Sequence, residues 1–471
     1  MKLILEFYSL LNKKNKIKSI LFIFFIIIST VLETLSIGSI FPLLIYILSP
    51  TSIDNYSFLR PIFNYLEQFS YDLTFLLIVI IFFSFILKAS FQLALSYFQS
   101  KFLTGISKNF ASKLLEGYLN HPYIYHLNNN SSFLIRNIIN EVNFLNNHID
   151  TIQTLIAELF IVIGLLLLLI IIKPLEVTGA LFLMGIISFS FIFLFRNLME
   201  RWGQIRQRNE GFRIKYLQQI FQSIKDIKMG SLEKSFVFQF DKPNTEIANV
   251  NAKFFFLKST PKIIIELILI SICCSAILLF LNLKVEIIDI LPIFGILSVV
   301  AYRVLPSINK IILGFTAISM GRAVVEMLKR EFKSFENNKS KTYKKSFEKI
   351  NNSIELKNID FAYDNESKKI IEGLSLKLER GKIYGIAGDS GTGKSTFVDV
   401  FSGLLESSNG QFKIDSIIFE PQNNKWMEQI SYVPQNVSLI DDTIKSNIAL
   451  GIEPENVDIN KIKAVMKIVD L

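Results

Sequence analysis

Long apolar segments separated by polar loops dominate the first part of the chain. Six of these segments hold enough consecutive apolar residues, about 20, to cross the hydrocarbon core of a bilayer as helices. The first, second and last keep a helical pattern beyond the apolar run, so we expect these helices to extend into water. The pattern predicts an all-α, six-helix membrane unit with spans at 19–48, 73–100, 151–172, 175–196, 263–283 and 287–306.

The loop between the first two spans, residues 49–72, carries an amphipathic pattern of its own. Its polar residues Asp54, Arg60 and Glu67 lie off the apolar face. The pattern fits a short amphipathic helix on the outer membrane surface, and it equally fits an apolar plug packed against the spans. The apolar positions at helical spacing are Phe58, Leu59, Ile62, Phe63, Leu66 and Phe69.

The pattern changes character near residue 330. A polar, basic stretch follows, which predicts a linker, and after it come short segments with the alternation of strands. The stretch LSLKLERGKIYGIAG reads as two strands joined by a turn at residues 379–381. We therefore predict a membrane domain at 1–330, a linker at 331–352 and an α/β domain at 353–471.

Composition and charge agree with a membrane protein: 51% of residues are hydrophobic and only 19% are charged. The net charge of +9 lies mostly in the loops between spans, which fits the positive-inside rule better than a nucleic-acid-binding face. This distribution puts both termini and the two long loops in the cytoplasm. The two cysteines, Cys273 and Cys274, are neighbours in an apolar run, which excludes a disulfide framework.

A glycine-rich stretch in the α/β part, GDSGTGKST, fits the P-loop pattern at every position that the pattern fixes. Backbone N–H groups of such a loop close around a β-phosphate, the lysine supplies charge to the β and γ oxygens, and the serine hydroxyl binds Mg²⁺. The helix that follows turns its positive end towards the phosphates. The predicted binding residues for ATP and Mg²⁺ are Gly388, Asp389, Ser390, Gly391, Thr392, Gly393, Lys394, Ser395 and Thr396.

Two further residues flank this loop. Tyr363 ends a predicted strand, where an aromatic ring stacks on a purine base or is simply part of the surface. Gln435 follows the predicted strand of YVPQ, where an amide ligates Mg²⁺, orients an attacking water or has no such role. Neither residue alone decides between these alternatives.

Taken in order, Tyr363, the P-loop, Gln435 and the segment TIKSNIALG resemble the first half of the nucleotide-binding domain of ABC transporters. With six spans ahead of it, the whole chain resembles an ABC exporter half-transporter. The resemblance implies ATPase-driven transport by a homodimer. It also implies that Tyr363 is the aromatic residue of the A-loop, that Lys394 and Ser395 are Walker A ligands, and that Gln435 is the catalytic glutamine, a second Mg²⁺ ligand. Coupling helices are expected at Tyr125–Ser132 and Lys225–Glu233.

The rest of that motif set is absent from the 471 residues. They hold no LSGGQ-type signature, no Asp-Glu after an apolar strand, and no histidine beyond the P-loop. Two copies of this chain would offer each other no signature. We therefore expect the domain to be truncated at its C-terminus and to bind ATP without efficient hydrolysis. The alternatives are a fragment of a longer gene product and a degenerate subunit completed by a partner.

Three charged residues lie inside predicted spans: Glu33, Lys88 and Arg303. Charges in the hydrocarbon region are costly and mark functional sites. At about 1.5 Å per residue, all three reach one level of the membrane, where they form a ring with one surplus positive charge. Such a ring suits an anionic headgroup such as a pyrophosphate. The alternative is that Glu33 pairs with Lys88 while Arg303 snorkels to the interface.

A finer resemblance concerns the substrate. The stretches HLNNNSSFLIRNIINEVN at 126–143 and AYRVLPSINKI at 301–311 are similar to bacterial lipid-linked oligosaccharide flippases, as are Glu33, Gly38 and Pro42. This resemblance implies that a polyprenyl-pyrophosphate glycan is flipped across the bacterial cytoplasmic membrane, with membrane lipid as a further partner. An exporter of peptides or drugs and a non-transporting ATP-binding membrane subunit are the alternatives.

Overall fold

The chain divides into two compact units, Met1–Lys341 and Thr342–Leu471. A computed structural model describes their residues over ten ranges. These are 2–48, 60–68, 71–172, 175–282, 287–338, 350–363, 369–415, 417–421, 424–435 and 437–470.

All the regular elements described in the first unit are helices, as the apolar pattern predicts. Its longest helix is α12, whose 52 residues span about 78 Å, far more than the roughly 30 Å of a hydrocarbon core. The helices are α1 Lys2–Leu10, α2 Lys13–Gly38, α3 Ile40–Leu48, α4 Arg60–Leu66, α5 Leu73–Leu119, α6 Tyr123–Asn128, α7 Ser131–Arg136, α8 Val142–Ile172, α9 Leu175–Gln222, α10 Ile224–Met229, α11 Glu233–Asn282 and α12 Ile287–Asn338, with a π-helical turn at Asn137–Glu141.

Within the described residues, four helical segments are long and apolar enough to cross a membrane: Lys13–Ile47, Leu73–Leu119, Ser131–Leu167 and Tyr302–Asn337. Such segments are those of a multi-pass membrane protein. The fourth, fifth and sixth predicted spans lie in α9, α11 and the first part of α12. Many side chains there are outside the described part, so those spans stay predictions.

The first span is interrupted, which the apolar pattern did not predict. Helix α2 ends at Gly38 and α3 begins at Ile40. Pro42 has no N–H to donate to the carbonyl of Gly38, four residues earlier, so the regular ladder cannot run through this point. Proline is tolerated in the first turn of α3, where an N–H would have no helical acceptor.

The loop between the first two spans favours the second of its two interpretations. Helix α4 buries Phe63 and Leu66 against Phe41 and Ile45 of α3 and Leu77 of α5. Phe63 also stacks on Tyr46 with ring centroids 5.9 Å apart. The described part of this loop is therefore an apolar plug against the spans. Phe58, Leu59 and Phe69 lie outside the described residues.

The second unit contains a four-stranded antiparallel sheet in the order β2-β1-β3-β4. Trp426 is 1% exposed between this sheet and α13, and its indole N–H donates to the Phe401 carbonyl at 2.9 Å. The elements are β1 Ser353–Phe361, β2 Ile371–Glu379, α13 Lys394–Ser402, β3 Asn409–Ile414, β4 Ile417–Phe419, α14 Asn424–Met427, α15 Ile444–Ile448, a 3₁₀ turn Pro454–Asn456 and α16 Ile459–Ile468.

A carboxylate clamp fixes the start of β1. Asp415, in the turn after β3, accepts hydrogen bonds from the backbone N–H groups of Asn351, Asn352 and Ser353 at 2.6–2.8 Å. These bonds, that from Ser353 above all, lower the pKa of the Asp415 carboxyl. The clamp thus joins the beginning of the unit to a turn 62–64 positions later.

Two predicted strands are not formed, and this corrects the strand–loop–helix prediction. The residues between Gly381 and the P-loop, and those leading to Gln435, have no regular secondary structure. A strand is stabilised by its ladder partner, and none of the described strands pairs with either stretch. Ile383 is accordingly fully exposed, and Val433 is 85% exposed.

The first residues of the predicted linker are helical. Helix α12 continues without interruption through Asn338, so the first part of 331–352 is helical. Its apolar positions Phe332 and Phe335 are buried in a cluster with Phe110 and Tyr118 of α5. Burial of these two side chains stabilises the end of α12, although the polar composition of that stretch predicts a linker.

Candidate functional site

The P-loop lies between the irregular stretch after β2 and the start of α13. Gly391 and Gly393 have φ angles of +84° and +92°, a region that side-chain-bearing residues rarely adopt. A Cβ on Gly393 would also lie 2.6 Å from Cγ2 of Ile370. The positive φ and the short distance to Ile370 both disfavour any side chain at position 393, where the motif has glycine.

Lys394 reaches back across the loop that precedes it. Its Nζ donates to the carbonyl oxygens of Gly388 and Asp389, both at 2.7 Å. Thr392 Oγ1 donates to the same Asp389 carbonyl at 2.8 Å. The ammonium is therefore held over the ring of backbone that the glycines form, where it would meet the oxygens of a phosphate.

The start of α13 supplies further groups for an anion. Gly393 is the N-cap, and the first backbone bond of the helix runs from Phe397 N to the Gly393 carbonyl at 2.8 Å. The N–H groups of Lys394, Ser395 and Thr396 precede that bond and have no acceptor within the helix. Together with the helix dipole they fit a phosphate group.

Tyr363 is placed against this helix, although it lies 33 positions before Thr396 in the chain. Its hydroxyl is 3.2 Å from Thr396 Oγ1, and its ring meets Phe361 edge to face at 5.1 Å. The ring is 38% exposed, which leaves part of it accessible to a ligand. The structure thus brings Tyr363 to the P-loop helix, and its stacking on a base stays a prediction.

Gln435 is not brought into the same network. The residue is exposed, and none of the described hydrogen bonds joins it to the P-loop. Ser395 is exposed at the helix start, so its hydroxyl is free to meet a ligand. A hydroxyl and an amide oxygen are hard donors of the kind that Mg²⁺ accepts beside phosphate oxygens, so both residues fit the predicted ion chemically.

The three charges predicted inside the spans do lie together. Glu33 is 3% exposed, and its Oε1 is 2.5 Å from Arg303 Nε and 3.2 Å from Lys88 Nζ. Gln92 Nε2 donates to the other oxygen of Glu33 at 3.5 Å. Glu33 therefore pairs with Lys88, as the alternative interpretation holds, but Arg303 also binds Glu33 instead of snorkelling.

Sequence reasoning missed two members of this cluster. Glu158, 3% exposed on α8, lies 3.3 Å from Arg303 Nη1 and 2.7 Å from Lys310 Nζ. Glu158 is a carboxylate in the middle of a predicted span, which is itself the signal that marks functional residues there. Lys310 follows Arg303 by seven positions, two turns along the same helix face. We call these five residues, Glu33, Lys88, Glu158, Arg303 and Lys310, the charged cluster.

The predicted coupling stretches each overlap short helices: α6 and the start of α7 in the first, and α10 in the second. Tyr125 of α6 stacks on His121 with ring centroids 4.0 Å apart and donates to Glu331 at 3.3 Å. Burial lowers the pKa of the His121 imidazole, and the nearby His126 adds to this effect. These contacts anchor α6 within the first unit, and its coupling role stays a prediction.

Comparison with known families matches residues 371–471 to the model of the ABC transporter family. An ATP-dependent lipid A-core flippase of Coxiella burnetii is 39% identical over 100 residues, 21% of this chain and 17% of that protein. The subtilin transport ATP-binding protein of Bacillus subtilis is 30% identical over 140 residues, 30% of this chain and 23% of that protein. The match therefore spans less than a quarter of the length of either relative.

A solved structure is similar over nearly the whole chain. A bacterial Atm1-family ABC exporter with ATP bound aligns with a TM-score of 0.66, covering 97% of this chain and 76% of that one. The sequence identity is 14%, so this similarity is evidence for the fold alone. The fold is that of an ABC exporter: a helical membrane unit followed by a nucleotide-binding unit of the ABC transporter type.

Proposed function

We propose that this chain supplies the membrane unit and the ATP-binding unit of an ATP-driven exporter that works as a homodimer in a bacterial cytoplasmic membrane. The observation that carries the proposal is the P-loop geometry, in which Lys394 is held over the loop glycines at the start of α13. The exporter fold around it supports the same function.

Different residues of this chain would bind the phosphates, the Mg²⁺ ion and the adenine of ATP. The N–H groups at the start of α13 and the Lys394 ammonium bind the β- and γ-phosphates. Ser395 contributes its hydroxyl to Mg²⁺, with Gln435 as the second protein ligand, and Tyr363 stacks on the adenine. The bound ion supplies charge neutralisation at the phosphates.

Labelling by a photoreactive azido-ATP tests this assignment. Lys394→Ala should remove most of the labelling, because no other side chain among the described residues bridges the Gly388 and Asp389 carbonyls. Lys382→Ala is the matched control, since Lys382 is an exposed lysine of the same unit that pairs with Glu379. Lys382→Ala should label as the wild type does, and labelling that survives Lys394→Ala to the same extent would refute the assignment.

For the substrate we propose a lipid-linked glycan with a pyrophosphate group. The charged cluster supports this, because three cations (Lys88, Arg303 and Lys310) face two carboxylates (Glu33 and Glu158), which leaves one surplus positive charge. The stretches that resemble oligosaccharide flippases, at 126–143 and 301–311, support the same class. The amino-terminal part of the second includes Arg303 itself.

Binding of a polyprenyl-pyrophosphate glycan to the protein in nanodiscs tests the substrate. Arg303→Ala should weaken binding at least about tenfold if the headgroup reaches the cluster. Arg322→Ala on the same helix is the control, since Arg322 pairs with Glu200 and Glu326 on the exposed face. Equal binding by both variants, or competition by peptides and not by the glycolipid, would favour an exporter of peptides or drugs.

A further inference from the structure

An apolar cavity of about 350 Å³ lies between the N-terminal helix α1 and helices α2, α5, α8 and α12. Its volume falls within the range of ligand pockets, roughly 300–1,000 Å³. Most of the wall is aliphatic or aromatic, including Leu5, Tyr8, Phe22, Ile149 and Val325. None of these residues belongs to the P-loop or to the charged cluster.

The margin of the cavity is also apolar. Leu5 of α1 and Ile20 of α2 both line it and are 62% and 60% exposed. Exposed aliphatic side chains on a membrane-spanning helix face lipid tails. Of the two, Ile20 lies in the membrane-spanning segment Lys13–Ile47. The α2 side of the cavity therefore opens towards hydrocarbon, and a hydrocarbon chain fits the apolar wall better than a polar solute does.

One polar side chain in the wall lacks a partner. Gln153 of α8 is 7% exposed, and its Oε1 has no hydrogen-bond partner among the described residues. A buried amide oxygen without a donor destabilises the protein unless a ligand or water supplies one. A chain that carries a hydroxyl or amide donor would satisfy it.

Basic residues lie beside the cavity. Lys16 Nζ is 5.6 Å from the ring centroid of Tyr8, which is part of the wall. Lys13, Lys14 and Lys18 lie on the same first turns of α2, and the nearest acid of α1, Glu6, is engaged by Lys329 at 3.6 Å. Such a group of lysines attracts anionic lipid headgroups.

From the apolar wall, the unpartnered amide and the lysines together, we propose that this cavity binds an anionic membrane phospholipid. One acyl chain fills the cavity under α1, a hydroxyl or comparable donor of the lipid headgroup pairs with Gln153 Oε1, and the phosphate lies by Lys16. This site shares no residue with the charged cluster proposed for the substrate or with the P-loop.

The first test uses the full 471-residue chain in a neutral detergent, titrated with dioleoyl-phosphatidylglycerol or dioleoyl-phosphatidylcholine. We expect the anionic lipid to raise the Tm in a saturable way and the zwitterionic lipid to raise it much less. Equal responses to the two lipids would overturn the proposed anionic specificity.

Gly321→Leu should fill the cavity and remove the response to phosphatidylglycerol. Gly321 lines the cavity, and a Cβ there meets His148 no closer than 3.6 Å, an ordinary contact. Gly105→Leu is the matched control, since Gly105 is a helical glycine of α5 with nothing within 4 Å of its Cβ position. An unchanged response in Gly321→Leu would overturn the site.

Two polar variants test the headgroup contacts. Lys16→Glu should weaken phosphatidylglycerol binding by about fivefold. Lys101→Glu, which disrupts a similar lysine contact with Tyr97, should not, since neither Lys101 nor Tyr97 lines the cavity. Gln153→Leu should raise the Tm without lipid and weaken lipid binding by roughly two- to tenfold. An equal gain in Tm with and without lipid would show that Gln153 does not bind it.

Crosslinking of the unmodified chain covers the case in which a variant fails to fold. Phosphatidylglycerol with a diazirine in its acyl chain should label peptides of α1, α2 and α8 that line the cavity. Labelling spread evenly over the exposed apolar face of α5 would contradict a defined site. A second copy of the chain as the occupant would show as a loss of oligomer mass in Gly321→Leu with no change in the lipid response, and this result would also overturn the proposal.

Discussion

The P-loop and the charged cluster are two sites of this chain that are built in opposite ways. The P-loop is nine consecutive residues, 388–396, whose shape depends on the backbone angles of Gly391 and Gly393. The charged cluster joins Glu33 to Arg303, 270 positions apart, and takes residues from α2, α5, α8 and α12. One short motif specifies the P-loop. The charged cluster forms only when the four helices pack against one another.

The two sites also differ in how much a mutation is expected to change the free energy of unfolding. Most of the P-loop is exposed, and Lys394 and Thr392 bond to backbone carbonyls of the loop itself. A change there therefore alters binding more than stability. Both carboxylates of the charged cluster are 3% exposed and each faces two cations. Removing one charge there leaves its partners uncompensated in a low-dielectric setting.

The largest expected effect is on the charged cluster. Glu33→Gln should lower the free energy of unfolding by about 3–5 kcal/mol, because Lys88 and Arg303 would lose their shared carboxylate. Unfolding in detergent, followed by fluorescence, measures this. Glu200→Gln, which removes a partner of the more exposed Arg322, should cost at most about 1 kcal/mol. Similar losses in both variants would contradict a buried, coupled cluster.

The next effect is on the P-loop. Gly393→Ala should reduce azido-ATP labelling at least tenfold, because alanine at a φ of +92° costs about 1–2 kcal/mol and its Cβ meets Ile370. Gly385→Ala is the control, since Gly385 has ordinary φ and open space around its Cβ position. The unfolding free energy of the first unit should stay unchanged in both. A Gly393→Ala protein that labels normally would show that the loop does not hold the phosphates.

Two variants of Tyr363 test whether its ring stacks on the base or whether its hydroxyl only supports the P-loop helix. Tyr363→Ala should weaken ATP binding by about 1–3 kcal/mol, the range for an aromatic ring stacked on a base. Tyr363→Phe keeps the ring and loses only the contact with Thr396 Oγ1, so it should bind nearly as the wild type does. Equal losses in the two variants would assign the effect to the hydroxyl and not to the ring.

The smallest effect concerns the Asp415 clamp. Its folded pKa lies below the ordinary value of 3.8, so its stabilisation is fully present above that value and is lost as the pH falls through the lower folded pKa. Asp415→Asn should lower the Tm of the second unit by a few degrees at neutral pH, and the gap to the wild type should narrow as the pH falls below 3.8. A gap that is constant between pH 7 and pH 2 would exclude the carboxylate as its source.

The sequence predicts most residues of the P-loop but only part of the charged cluster. The P-loop glycines and Lys394 follow from the motif alone, because the motif encodes backbone angles and reach. Glu33, Lys88 and Arg303 were found as charges in spans, but the partnership of Arg303 with Glu158 required knowledge of how α8 packs on α12. The pattern also predicted strands before the P-loop and before Gln435, and these failed because a strand needs a pairing partner as well as alternation.

The most direct measurement is the nucleotide selectivity of binding to the 471-residue chain, comparing ATP with AMP in the presence of Mg²⁺. If the loop around Lys394 holds the β- and γ-phosphates, ATP should bind at least tenfold more tightly than AMP, and Lys394→Ala should erase that preference. Equal affinities for ATP and AMP in the wild type, or a preference that survives Lys394→Ala, would contradict the account.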